Sequence, residues 1–303
     1  MINSMSQLVA KAKENGSVRL AVAAAEDADV LTAVSAAEAE GLVTPILVGN
    51  KEKIRQIIAE HNIKFSAPAF VEGVDPADSS EKSAMLVAEG KADLIMKGFV
   101  VSSVLLKAML KKDYGLRGDG IISHDLLLEV PGYGRLLHVT DSAMNIAPDL
   151  NDKVFILKNA VDVAHVLGNE CPKVAVLCAV EKVNPKMQAT LDAEALTAMY
   201  KEGKISGCIV DGPLALDNAI SPEAARHKEI KSDVAGYADI LMCPTIESAN
   251  FLNKSMEHFA HAKKAGVLVG AKVPVALTSR ATSAESKHYT IALACLIAGR
   301  KAK

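Results

Sequence analysis

The stretch VRLAVAAAEDADVLTAVSAAEAEGLVTPILVG, Val18 to Gly49, changes its period twice. VRLAVAAA is a short apolar run of strand length. EDADVLTAVSAAEAEG is rich in Ala and Glu at helical spacing and is closed by Gly41, and TPILVG is a second strand-like run. Strand, helix and strand in so short a span is the signature of an α/β chain. The pattern goes on: NKEKIRQIIAEHN is a helix capped by Asn50, and EKSAMLVAEGKADLIMKG is a helix and a strand ending at Lys97 and Gly98. From about Gly120 the texture changes. GIISHDLLLEVPGYGRLLHVTDSAMN holds two strand-like runs around Pro131, Gly132 and Gly134, which predicts a hairpin and places a domain boundary near its start. Alternation then resumes with KVAVLCAV, ISGCIVDG, ADILMCP and KAGVLVG.

A chain of 303 residues, half of them hydrophobic, has material for two domains with their own cores. The formal net charge is -2, so no overall basic field draws nucleic acid or an anionic membrane, and the expected partner is a small molecule or a second copy of the chain. The five cysteines are odd in number, scattered and mostly set in apolar runs, which reads as reduced thiols of a cytoplasmic protein without a disulfide framework or zinc site. The opening MINSMSQLVAKAKENG is amphipathic and lacks the apolar core of a signal peptide. No run reaches the roughly 18 apolar residues of a membrane span. The glycines form neither a GxGxxG nor a GxxxxGK[ST] fingerprint.

Four constellations carry possible chemistry. In VPVALTSRATSAES, a strand over Val273 to Leu277 and a helix from Ser283 put Thr278, Ser279 and Arg280 at the carboxyl end of a strand, where open α/β sheets bind ligands. The amino end of the helix offers N–H groups to an anion, and Arg280, one of only seven arginines, adds a two-pronged donor. The plainer alternative is a turn serine beside a surface arginine. Thr282 and Glu285 also have the spacing of a capping box. In VDGPLALDNAI, Asp211 and Asp217 fit metal binding or general-base work, or a turn acid and a helix cap. In CPTIESANFLNKSMEHFAHAK, Glu247, Ser248 and Asn250 follow a strand, while Lys254 and His258 share a helical face without a second histidine at zinc-like spacing. Asp141 and Asn145 also follow a strand, with turn chemistry as the alternative.

Taken in order, ADLIMKG, LEVPGYGRLLHVTDSAMNIAPD, VDGPLALDNAI, ADILMCPTIESANFLNK and VPVALTSRATSAES resemble the phosphate acetyltransferase and butyryltransferase family over nearly the whole chain, the butyryl branch most. The resemblance implies a two-domain fold like that of isocitrate and isopropylmalate dehydrogenases, with a cleft between domains. Residues 1–121 and 268–303 would form the first domain and 122–267 the second. The implied reaction is acyl-CoA plus phosphate giving acyl phosphate plus CoA, by direct thiolate attack in a ternary complex. CoA is then a substrate, with no cofactor or metal, and the chain is a homo-oligomer.

Ser279 matches the family's oxyanion donor and Arg280 its phosphate ligand. Lys254 and His258 match its CoA-phosphate positions, His258 standing for the more usual arginine. Lys107 aligns with an arginine of the acetyl-specific relatives, and Thr278, Asp141, Asn145, Glu247, Ser248 and Asn250 join the substrate-binding set. Ser286 occupies the place of those relatives' aspartate base, which leaves Glu285, beside it, as the candidate carboxylate. The rival readings are a metal- and NAD(P)-dependent dehydrogenase of the same fold, a ping-pong acyltransferase with a cysteine nucleophile, and a non-catalytic CoA-binding protein.

Overall fold

In the computed structural model, which describes residues 1–279 and 282–301, the chain forms a mixed α/β fold. The first segment runs α1 (Met5–Glu14), β1 (Val18–Ala23), α2 (Ala28–Ala39), β2 (Val43–Gly49), α3 (Lys51–Glu60), β3 (Ala69–Glu72), α4 (Pro76–Ala88), β4 (Leu94–Lys97) and α5 (Ser102–Met109). The middle segment holds β5 (Ser123–Glu129), β6 (Leu136–Thr140), α6 (Leu150–Val166), β7 (Lys173–Leu177), α7 (Gln188–Lys201), β8 (Ile209–Leu214), α8 (Leu216–Ile220), α9 (Pro222–His227), β9 (Ile240–Met242) and α10 (Ile246–His258). The chain closes with β10 (Lys263–Val269), β11 (Val275–Ala276) and α11 (Ala284–Lys301). Two compact units result, one of residues 5–119 and 265–303 and one of residues 1–4 and 120–264.

In the first unit the strands lie in the order β3-β2-β1-β4-β11-β10. All pairs are parallel except β10 with β11. Leu94 to Lys97 are all buried, which accounts for the unbroken apolar reading of LIM in a strand covered on both faces. Short polar side chains start three of its helices, α2, α3 and α4. Asp27 accepts from the N–H of Val30, Asn50 from that of Lys53, and Asp75 from those of Ala77 and Asp78. Gly98 closes β4 where a Cβ would meet the Ala24 carbonyl oxygen at 2.1 Å, so only glycine fits. β11 is shorter than the Val273 to Leu277 run because Pro274 has no N–H to donate, although its carbonyl still accepts from Ile95. α11 packs its apolar side on α2 and α1.

The second unit has the order β5-β6-β9-β7-β8, antiparallel only at the β5–β6 hairpin. Gly132, at φ 81°, lies in the turn of that hairpin. Leu126, Leu128, Leu137, Val139 and Leu241 form one core cluster, and Ile156, Leu157, Val174, Leu196 and Met242 belong to another. Among the described residues no helix is long and apolar enough to cross a membrane.

Candidate active site

Each unit holds one cluster of the residues singled out above. In the first unit, β11 ends at Ala276 and α11 begins at Ala284, and the corner between them carries Thr278 and Ser279. Thr278 is buried and Ser279 exposed. The Ser279 carbonyl accepts from the N–H of Thr282 at 3.1 Å, while its hydroxyl has no hydrogen-bond partner among the described residues. Arg280 lies outside the described residues.

The capping box expected of Thr282 and Glu285 is not the one that forms. The Ser286 N–H donates to Ser283 Oγ at 3.2 Å, and Ser283 directly precedes the first helical residue. Thr282 instead turns its own N–H back to Ser279. Glu285 is exposed and accepts from the Tyr289 hydroxyl at 2.6 Å, one helical turn on, so its carboxylate faces along the helix. Ser286 is buried in the first turn. Lys107 is exposed in the last turn of α5.

In the second unit the turn after β6 is tied into itself. Asp141 is almost fully buried; its Oδ1 accepts from the N–H groups of Ala143 and Met144, both at 3.0 Å. Its Oδ2 accepts from the Asn145 N–H at 3.1 Å and from Asn145 Nδ2 at 2.5 Å. Asn145 Nδ2 also donates to the Ile122 carbonyl. Burial pushes the Asp141 carboxyl up, and the bonds from Ala143, Asn145 and Met144 hold it back. Beside it, His124 Nδ1 lies 2.6 Å from the hydroxyl of the fully buried Ser142. Burial, with a smaller contribution from Lys264, lowers the His124 imidazole to about 4, so it is neutral near pH 7.

Helix α10 divides its candidates between two duties. Ser248 donates to the Thr245 carbonyl at 2.7 Å and accepts from the Thr245 N–H at 3.3 Å, closing the first turn. Asn250 Nδ2 reaches the Ser142 carbonyl and fastens the helix to the turn after β6. Glu247, Lys254 and His258 instead share one helical face with Phe251, whose ring is exposed. Lys254 Nζ stands 3.1 Å from Glu257, which also takes Lys264 at 2.6 Å. Burial opposes ionisation of Glu257, but the bonds from Lys264 and Lys254 prevail and hold its carboxyl below the usual range. A cavity of about 550 Å³ lies between the amino ends of α6, α7 and α10, with the buried Lys153–Asp192 ion pair in its wall.

The remaining sequence candidates have local partners. Asp217 pairs with Lys228 at 3.0 Å, and Asp211 accepts from the Gly212 N–H. Burial raises the thiols of Cys178 and Cys208 to about 11 and those of Cys243 and Cys295 to about 12, so all four are protonated near neutral pH. Sequence reasoning passed over His124, Ser142 and Lys287. For Lys287 a signal was present: 287, 290, 291, 294 and 298 fall on one helical face, and every one of them is buried.

Comparison with known proteins agrees with the ordered motifs. A family model described as "Phosphate acetyl/butaryl transferase" matches residues 4–82 and 72–295. A probable phosphate butyryltransferase of Bacillus subtilis is 49% identical over 290 residues, 96% of each chain. A phosphate acetyltransferase of Thermotoga maritima is 44% identical over 97% of this chain and 99% of its own. The crystal structure of a branched-chain phosphotransacylase from Enterococcus faecalis superposes with a TM-score of 0.81 at 35% identity, covering 93% of this chain and 99% of that one. The chain therefore belongs to the phosphate acetyl/butyryl transferase family.

Proposed function

We propose that this enzyme moves a short-chain acyl group, butyryl or one of similar size, between CoA and inorganic phosphate. The observation that carries the reading is the Ser279 corner: an exposed serine whose hydroxyl has no partner among the described residues, next to Arg280 in sequence and just ahead of a long helix. In the forward direction a phosphate oxygen attacks the thioester carbonyl, the carbonyl oxygen becomes an oxyanion, and the C–S bond breaks to release CoA as a thiolate that takes a proton. The reverse direction begins with thiolate attack on the acyl phosphate. Ser279 donates to the oxyanion, a role whose loss costs about 10²- to 10³-fold in rate. Arg280 grips phosphate oxygens in a fixed fork.

Lys254 and His258 take phosphates of CoA, with Lys107 as a further cation and Thr278 supporting the corner from beneath. Glu247 borders the same exposed face of α10. Asp141, Asn145, Ser248 and Asn250 serve binding indirectly, by fixing the turn and helix that present that face. The raised thiols of four cysteines favour direct transfer in a ternary complex over an acyl-cysteine intermediate. Glu285 is the carboxylate nearest in sequence to the place of the relatives' aspartate base, and its bond to Tyr289 argues against a leading part. We place the enzyme in the cytoplasm as a homo-oligomer. We also assign the two units to the two domains of an isocitrate/isopropylmalate dehydrogenase-like fold, both serving this one reaction.

The test is release of free thiol from a series of acyl-CoAs, acetyl to hexanoyl, with and without inorganic phosphate. Phosphate-dependent release that peaks at an intermediate chain length is expected, with intersecting initial-rate lines. Release that ignores phosphate would sink the proposal.

A further inference from the structure

Lys287 is an ammonium on the buried face of α11, with 1% of its side chain exposed. It donates to the carbonyl of Thr282, five residues back in the chain. Among the described residues the one carboxylate paired with it is Asp29, at 3.6 Å in the first turn of α2, and 65% of that side chain is exposed to water. A buried cation opposed by one long, well-solvated contact is poorly compensated, and a fold keeps such a charge at a cost in stability. Its position suggests why it is kept. Thr282 is held on both of its backbone sides, its N–H on the Ser279 carbonyl at 3.1 Å and its C=O on Lys287 Nζ. The lysine therefore holds the residue whose N–H holds the serine.

We infer that Lys287 is a positioning residue for the anion-binding corner: it holds Thr282 by its carbonyl, through Thr282 it holds the backbone of Ser279, and it adds a cationic side chain to the field that an incoming phosphate meets. The inference rests on the reading of Ser279 and Arg280 as the phosphate end of the site. Asp29 is the carboxylate with which that anion competes. Lys287 does not touch the reacting atoms; it acts through the turn and through its field, which a dry surrounding weakens less than water would.

The experiment is calorimetric titration of inorganic phosphate into the full chain, paired with phosphate and acyl-CoA kinetics, for the parent protein, Lys287→Met and Asp29→Asn. Lys287→Met should weaken phosphate binding and raise the phosphate KM about tenfold, the acyl-CoA KM staying within about twofold. A merely structural lysine would lower the thermal midpoint and leave that split absent. A folded Lys287→Met with parental phosphate affinity overturns the inference. Should that variant fail to fold, Asp29→Asn decides, since its side chain is largely in water: freeing the ammonium should tighten phosphate binding about threefold, and unchanged or weaker binding overturns the inference. Phosphate that binds the parent protein without any thiol release would discard the acyl-transfer reading alone. No phosphate binding by the parent protein would discard both.

Discussion

Two turns that follow strands, one in each unit, carry residue types suited to binding, yet they spend those residues differently. After β6, Asp141 accepts four hydrogen bonds from its own turn, and Asn145 returns two of its own, one of them to that carboxylate. After β11, among the described residues only the backbone of Ser279 is engaged, and the residue is exposed. The first turn is a finished object and the second has a donor left over. A buried polar group must be satisfied by the protein itself, whereas a group at a working corner is completed by its substrate. Polar side chains after a strand are therefore poor evidence of binding until their hydrogen bonds have been counted.

The largest effect that would sharpen the contrast is on stability and falls on the finished turn. His124, folded as a neutral imidazole lowered from 6.5 to about 4, stays unprotonated where the unfolded chain takes up a proton. Stability is then full above the unfolded value and falls as pH drops from 6.5 towards 4, by on the order of 3 kcal/mol. Asp141, whose carboxyl is raised, works in the opposite sense just above 3.8. Denaturant unfolding across this range should show the loss, and His124→Asn should flatten the slope. An equally steep profile in the variant would move the acid sensitivity elsewhere.

A smaller effect, on substrate affinity, is expected at the open corner. Arg280→Lys keeps the charge and loses the fork, so the phosphate KM should rise about tenfold with the thermal midpoint unmoved. Parental phosphate kinetics would remove Arg280 from the site. Smaller still is Glu285→Gln. With the helix cap supplied by Ser283 and the carboxylate bonded to Tyr289, the variant should keep more than about a tenth of kcat, a general base being worth more than that. A fall of about 10²-fold at neutral pH would make Glu285 the base for the CoA thiol.

Much of this was legible in the chain itself. The buried run of β4, the caps at Asn50 and the glycine after α2 are local choices that agree with the fold, and local agreement is what a sequence displays. The capping box at Thr282 was misread because Ser283, an equally good cap, stands one residue later. The saturation of Asp141 comes from donors two to four residues on and was legible only as the turn-chemistry alternative. The neutral state of His124 was not legible, because it depends on burial in β5 and on a partner 18 residues away, which no spacing rule joins. Lys287 lies between these cases: its place on an apolar face was visible, but its grip on Thr282 was not.

The contrast between the two turns is tested most directly by measuring kcat and thermal midpoint together for Ser279→Ala and Asp141→Asn. An amide at 141 faces donors with a donor and strands at least one of them, which should cost about 1 to 3 kcal/mol of stability and little in rate. Removing the Ser279 hydroxyl touches no hydrogen bond among the described residues and should lower kcat by about 10²-fold or more, with acyl-CoA affinity and thermal midpoint unchanged. The expected result is this crossing of effects, rate lost at Ser279 and stability lost at Asp141. A Ser279→Ala enzyme of near-parental kcat, or an Asp141→Asn enzyme that is stable and inactive, would contradict it.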